Sequence, residues 1–153
     1  MKLWRLTRVA YVELDGRGAL LNGSRYAPPG TPVVSLASEA ALAVLISMRY
    51  LPDDPAQIAT DYVLGWTEAD ALPERVPDGA DDAAVRSFIG EWFAAQRSLL
   101  AAVPSRVLPE GDVVLLNPHH PLAASVKPLT TRPFDWADSL HRPPMLAAFR
   151  NAQ

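Results

Sequence analysis

Short apolar runs alternate with proline-studded polar stretches along this chain, and that pattern predicts its elements. Lys2–Leu6 reads as a first strand carrying Trp4 and Arg5. Leu20-Leu21 lies on the approach to a turn at Arg25. The β-branched run Pro32–Ala37 (PVVSLA) predicts a second strand. Ser38 then reads as an N-cap and Glu39 as a first-turn acid of a helix running to about Arg49. Ala40, Ala43 and the Leu42/Leu45/Ile46 group give that helix a broad apolar face. Tyr62–Trp66 (YVLGW) predicts a strand. Asp82 reads as the cap of a second helix, from Ala83 to about Gln96, with Val85, Phe88, Ile89 and Trp92 on one side. Leu99–Val103 and Val113–Leu116 read as buried strands, Leu122–Val126 as a short helix, and Thr131–Trp136 as a last extended piece. The tail after Arg142-Pro143-Pro144 reads as a final short helix.

Ten of the 15 prolines cluster between these elements, at Pro28-Pro29, Pro52–Pro55, Pro73–Pro77, Pro118–Pro121 and Pro143-Pro144. Each cluster stops regular structure. The expected class is therefore α+β: short strands and two or three helices joined by stiff loops. At 153 residues, without internal repeats, the expectation is a single domain over 1–153 that buries roughly two-thirds of its unfolded surface. Apolar residues form 49% of the chain and charged residues 20%, a globular balance. A formal net charge of −3 with no basic run argues against a nucleic-acid partner. The absence of cysteine removes disulfides and thiolate metal sites, and fits a reducing cytoplasm. Met1–Arg5 is too short and polar to open a signal peptide, and no apolar run reaches membrane-spanning length.

The candidate chemistry starts at Gly23–Arg49, GSRYAPPGTPVVSLASEAALAVLISMR. It sets Arg25 in a stiff turn, then a strand, then a helix opening directly off the strand. A guanidinium held by turn geometry is a preorganised fork for phosphate or carboxylate. From the residues alone, plainer roles stay open. Arg25 can pair with a carboxylate such as Asp15. Arg5 can be an interior arginine satisfied by backbone carbonyls. Ser105 after Pro104 can bond its own backbone, and Tyr26 can pack over Pro28-Pro29. His119 and His120 point to opposite sides of an extended segment, and His141 is remote, so no metal site is expected. There is no GxSxG elbow and no glycine-rich strand-to-helix turn, which excludes a serine-hydrolase or Rossmann site.

Several segments in order resemble the RES-domain family, the toxin halves of RES–Xre toxin–antitoxin pairs. They are Trp4–Leu6 (WRL), GSRYAPPGTPVVSLAS, the aliphatic helix from Ala40, Arg97-Ser98-Leu99, Val103-Pro104-Ser105 and Leu115–Pro121 (LLNPHHP). The resemblance covers nearly the whole chain. It implies a compact mono-ADP-ribosyltransferase-like fold with strands around a cleft that binds NAD. It also implies a cytoplasmic toxin that cleaves the nicotinamide–ribose bond and passes ADP-ribose to a protein, water or phosphate. The implied partner is an Xre-type antitoxin covering the active site in a hetero-oligomer. Carried over by position, Arg5 and Arg25 match NAD-contacting arginines, Ser105 matches the family serine, and Tyr26 is a candidate for the pocket wall.

Two positions depart from the pattern. Ser35 stands where most members have tyrosine, and Ile46 where most have glutamate. A carboxylate beside the ribose stabilises an oxocarbenium-like state, and isoleucine cannot. Glu39 is the nearest carboxylate on the same helix, ~10 Å along the axis from Ile46, and Glu91 is a more remote candidate. Ser35 and Ser105 are expected to address ribose or nicotinamide. The catalytic set expected is Arg25, Ser35, Ser105 and Glu39. The alternatives are a catalytically weakened NAD- or antitoxin-binding module, and an interaction protein whose family features only build a core.

Overall fold

The computed structural model describes residues 1–140, so the expected helix after Arg142-Pro143-Pro144 and His141 lie outside the described residues. Seven strands form one mixed sheet. They are β1 (Lys2–Arg8), β2 (Val34–Ala37), β3 (Tyr62–Glu68), β4 (Glu74–Arg75), β5 (Leu100–Pro104), β6 (Asp112–Leu116) and β7 (Thr130–Pro133). Their order is β4-β5-β6-β2-β1-β3-β7. Every pairing is antiparallel except β4 with β5. The helices are α1 (Arg17–Asn22), α2 (Ala40–Met48), α3 (Asp82–Ala94) and α4 (Trp136–Ser139). The expected α+β class is the observed one.

Pleating divides the sheet into two faces. Val34, Leu36, Val114, Leu116 and Leu100 pack with Leu3 on one side. On the other, Val103, Val113 and Leu115 pack under α3 residues Val85, Ile89 and Trp92. Farther along that same side, Leu6, Ala37 and Leu64 pack against Leu42 and Ala43 of α2. Leu3, Leu42, Ile89, Trp92, Leu100 and Val114 are completely inaccessible to solvent. Fully burying an aliphatic side chain of this size contributes ~1.5–3 kcal/mol, so the sheet and both long helices are fixed by packing.

Local capping departs from expectation at both helix starts. Ser38 is not an N-cap: Glu39 occupies that position without a side-chain cap bond. The Ser38 hydroxyl instead accepts from the Asp112 N–H at 2.9 Å, extending the β2–β6 connection by one rung. At α3 the cap is Asp81, whose carboxylate accepts from the Ala84 N–H at 2.8 Å. Asp82 is thereby left free of capping. Leu20-Leu21 belong to α1, a short helix that the sequence pattern did not suggest, and Pro121–Ser125 forms a 3-10 turn where a short helix was expected.

Candidate functional site

The turn carrying Arg25 is tied from both sides. α1 ends at Gly23, whose N–H donates to the Ala19 carbonyl at 2.8 Å with φ at 73°. A Cβ there would meet Pro29 Cδ at 2.9 Å in an unfavourable backbone region, so glycine is required. The Ser24 hydroxyl accepts from the N–H groups of Tyr26 (3.2 Å) and Ala27 (3.1 Å). The Ser24 N–H donates to the Ala27 carbonyl at 2.8 Å, closing the turn. Beyond the two prolines, the Gly30 N–H returns to the Leu20 carbonyl at 2.8 Å.

Arg25 opens onto a cavity of about 300 Å³ on the α2 and α3 side of the sheet. This is the low end of the range usual for small-molecule sites. Ser35 of β2, Val113 of β6 and Ile46 of α2 line it together with Tyr26. Arg49 and Tyr50 reach it from the end of α2, and Ser105, Arg106 and Val107 from the loop after β5. Three of these side chains, Arg25, Arg49 and Arg106, are cationic, and no carboxylate lines the cavity. Such a surface favours anions and preorganises planar donors for phosphate.

One carboxylate reaches these arginines from outside the lining. Asp82, at the first residue of α3, lies with both oxygens 3.3 Å from Arg25 Nη2 and with Oδ1 3.0 Å from Arg106 Nη2. The Arg49 side chain has no ion-pair or hydrogen-bond partner among the described residues; its backbone N–H donates to the Ile46 carbonyl at 3.2 Å. Burial raises the Tyr26 phenol above its ordinary pKa, and the neighbouring Arg25 charge only partly opposes this. Tyr26 is therefore a neutral donor at the cavity wall. Ser105 is buried; its N–H donates to the Gly111 carbonyl at 2.9 Å and its hydroxyl accepts from the Val107 N–H at 3.3 Å. That local bond shapes the loop presenting Arg106.

The structure thus brings together Arg25, Tyr26, Ser35 and Ser105, and leaves two other candidates elsewhere. Arg5 does not line this cavity. It sits in a separate small hollow of about 30 Å³ with Glu13, Asp15 and Arg17. Its Nη1 donates to the Glu13 carbonyl at 3.4 Å. Burial pulls its pKa down, with the Asp15 charge opposing. This is the interior-arginine arrangement, and strand parity is the reason. Trp4 pairs with Ala37, so Trp4, Ala37 and Ser35 share one face and Arg5 leaves from the other. Glu39 is exposed at the start of α2 and does not line the cavity. Glu91 accepts from the Ser87 hydroxyl at 3.2 Å on α3. Asp15 accepts from the Arg17 N–H at 2.9 Å, and the carboxylate paired with Arg25 is Asp82.

Arg49, Tyr50, Arg106, Ser24 and Asp82 are additions. The first two follow Ile46 by three and four residues, the spacing that places side chains on one helical face. Arg106 adjoins Ser105. Asp82 carries no local signal, being 57 residues from Arg25. His119 packs against Phe93, and His120 Nδ1 accepts from the Leu122 N–H at 3.2 Å. Among the described residues no helix is long and apolar enough to cross a membrane.

The fold is a mixed-sheet α+β domain of a kind seen in a toxin–antitoxin complex. A chain of the crystal structure of the M. tuberculosis MbcT-MbcA toxin-antitoxin complex superposes with a TM-score of 0.65 at 17% identity, over 88% of this chain and 84% of that one. The RES domain family model matches residues 2–137, and the chain belongs to that family. Toxin Res of Photorhabdus laumondii subsp. laumondii is 33% identical over 130 residues, covering 77% of this chain and 82% of the relative. The Prs ADP-ribosylating toxin of Sphingobium sp. is 34% identical over 140 residues, covering 81% and 86% respectively. Toxin Res of Pseudomonas putida is 33% identical over 134 residues, covering 83% and 91%.

Proposed function

We propose that this chain is the toxin of a toxin–antitoxin pair, acting in the cytoplasm as a single RES domain on NAD. Arg25, with Arg106 and Arg49, holds the diphosphate. Tyr26, Ser35 and Ser105 face the nicotinamide riboside, and Arg5 supports the sheet from behind without touching the ligand. The carbon–nitrogen bond between ribose and nicotinamide breaks, nicotinamide leaves as a neutral base, and ADP-ribose passes to a protein, water or phosphate. The observation that carries this reading is the cavity lined by Arg25, Arg49 and Arg106 and by no carboxylate. The relative named an ADP-ribosylating toxin supports the substrate class, and the neighbour in a toxin–antitoxin complex supports an antitoxin partner. We propose an Xre-type antitoxin covering the cavity mouth.

Incubating the purified chain with NAD and measuring free nicotinamide tests the reaction. Time-dependent release that is lost in Arg25→Ala is the expected result. A second reading rests on Ile46. With isoleucine in the lining and no carboxylate beside it, the domain binds NAD but cleaves it weakly. Saturable NAD binding without nicotinamide release selects that reading, and absence of binding excludes both.

A further inference from the structure

Resting on the reading of the cavity as a diphosphate site, we propose that Asp82 is a built-in competitor for the anionic ligand. Its carboxylate occupies the Arg25–Arg106 pair in the empty protein and swings away when phosphoryl oxygens arrive.

The geometry of the pair carries this. The carboxylates of two other ion pairs each meet two nitrogens of one guanidinium: Asp112 on Arg75 at 2.7 and 3.1 Å, and Asp61 on Arg8 at 2.7 and 3.2 Å. Those are the lengths of strong charge-assisted forks. Asp82 instead sets both oxygens 3.3 Å from the single Nη2 of Arg25, and shares Oδ1 with Arg106 Nη2 at 3.0 Å. The Nε and Nη1 groups of both arginines have no acceptor among the described residues and stay open to a ligand. Asp82 does not cap α3, a role that Asp81 fills, and its first-turn position favours a carboxylate at the helix start whichever way the side chain turns. Its side chain is 45% exposed against 28% for Arg25, so water receives it when it leaves. A lone carboxylate bridging two guanidiniums by long bonds is a weak occupant. A diphosphate, with two charged groups and more acceptors, outcompetes it, while a singly charged anion gains little. Asp82 therefore selects for multiply charged ligands and sets the affinity of the site.

Calorimetric titration of the wild-type chain and Asp82→Asn with inorganic pyrophosphate and with NAD tests this. The expected result is binding about three- to tenfold tighter in the variant at low salt, a gain that shrinks at high salt. The gain should shrink when Arg106→Gln is already present, because that variant removes one of the two guanidiniums Asp82 bridges and leaves its contact with Arg25. Asp82→Ser, read with a thermal melt, guards against an effect peculiar to the asparagine. Equal or weaker binding by both variants while the wild type binds overturns the competitor role and leaves the NAD reading intact. So does a gain of the same size in the Arg106→Gln background, which would be a general field effect. No binding by any of the proteins overturns both readings.

Discussion

Arg5 and Ser35 leave the central sheet from opposite faces. The register Trp4↔Ala37 puts Trp4, Ala37 and Ser35 on the cavity side, and Arg5, one residue on from Trp4, lines the hollow with Glu13 and Asp15 on the other. Two arginines that the sequence treats alike, Arg5 and Arg25, therefore line different hollows, and alanine substitution should separate their roles. On the function proposed above, Arg25→Ala would remove charge-assisted contacts to NAD, each worth ~1.5–3 kcal/mol. It should weaken NAD binding by about ten- to hundredfold with the melting temperature nearly unchanged. Arg5→Ala removes a half-buried side chain and should lower the melting temperature by several degrees, with the NAD dissociation constant nearly unchanged. Calorimetry and thermal melts on both variants check this. The reverse pattern would return Arg5 to the site.

Arg49 tests the cationic lining itself. Its side chain has no partner among the described residues and follows α2 at an exposed position. Arg49→Ala should therefore leave stability within ~0.5 kcal/mol, while weakening NAD binding about threefold to tenfold and flattening its salt dependence. A salt series of dissociation constants for wild type and variant measures it. An unchanged salt slope would place the ligand away from the end of α2.

The reach of the sequence follows from whether information is local. β2, α2, α3, β5 and β6 are legible because β-branched runs and helical apolar spacing act over a few residues. The Arg25 turn is legible because glycine, serine and paired prolines dictate backbone geometry locally. The pairing of Arg25 with Asp82 spans 57 residues and depends on how α3 packs over β5 and β6. The shift of the cap from Asp82 to Asp81 is a one-residue ambiguity between adjacent aspartates. The placement of Arg5 turns on strand parity, knowable only once β1 is paired with β2. α1 and the two-residue β4 are too short for periodicity to register.

Ile46 offers a gain-of-function test. It lines the cavity beside Ser35 and Val113, where no carboxylate stands. Ile46→Glu introduces one next to the ribose position proposed above. Stabilising a developing oxocarbenium charge is worth several kcal/mol when the group is well aimed, so nicotinamide release should rise at least about tenfold. The charge enters a partly apolar wall that packs with α2 and α3, so the variant should also lose ~1–3 kcal/mol of stability. Ile46→Gln should share the loss of stability without the gain in rate. Equal rates for Glu and Gln would mean that the ribose lies elsewhere.

The Tyr26 phenol gives a pH signature. Its folded-state pKa is raised, first by burial, with Arg25 opposing. The native state then holds this proton more tightly than the unfolded chain does. The associated stability is fully present below the unfolded value near ~10 and is lost as pH rises through the folded value. Alkaline melts should therefore show a decline above about pH 10 that Tyr26→Phe reduces. In an ultraviolet titration the same substitution should delete a phenolate that forms later than an ordinary one. Adding pyrophosphate, a negative charge beside the phenol, should delay that phenolate further. A titration insensitive to pyrophosphate would place the anion away from Tyr26.

Ser24 tests whether the turn preorganises Arg25 or merely connects α1 to β2. Its hydroxyl accepts from both the Tyr26 and Ala27 N–H groups, at 3.2 and 3.1 Å, and Ala27 is buried. Ser24→Ala leaves these donors without that acceptor and should cost ~1–2 kcal/mol of stability, comparable to deleting a helix cap. If the same bonds hold the guanidinium ready, the variant also pays ordering entropy on binding, and NAD affinity should fall about threefold to tenfold. Ser24→Thr keeps the oxygen and should restore both quantities. Loss of stability with an unchanged dissociation constant would show that Arg25 reaches its ligand without help from the turn. Loss of both in alanine, with recovery of both in threonine, ties the fold of this segment to the chemistry of the cavity.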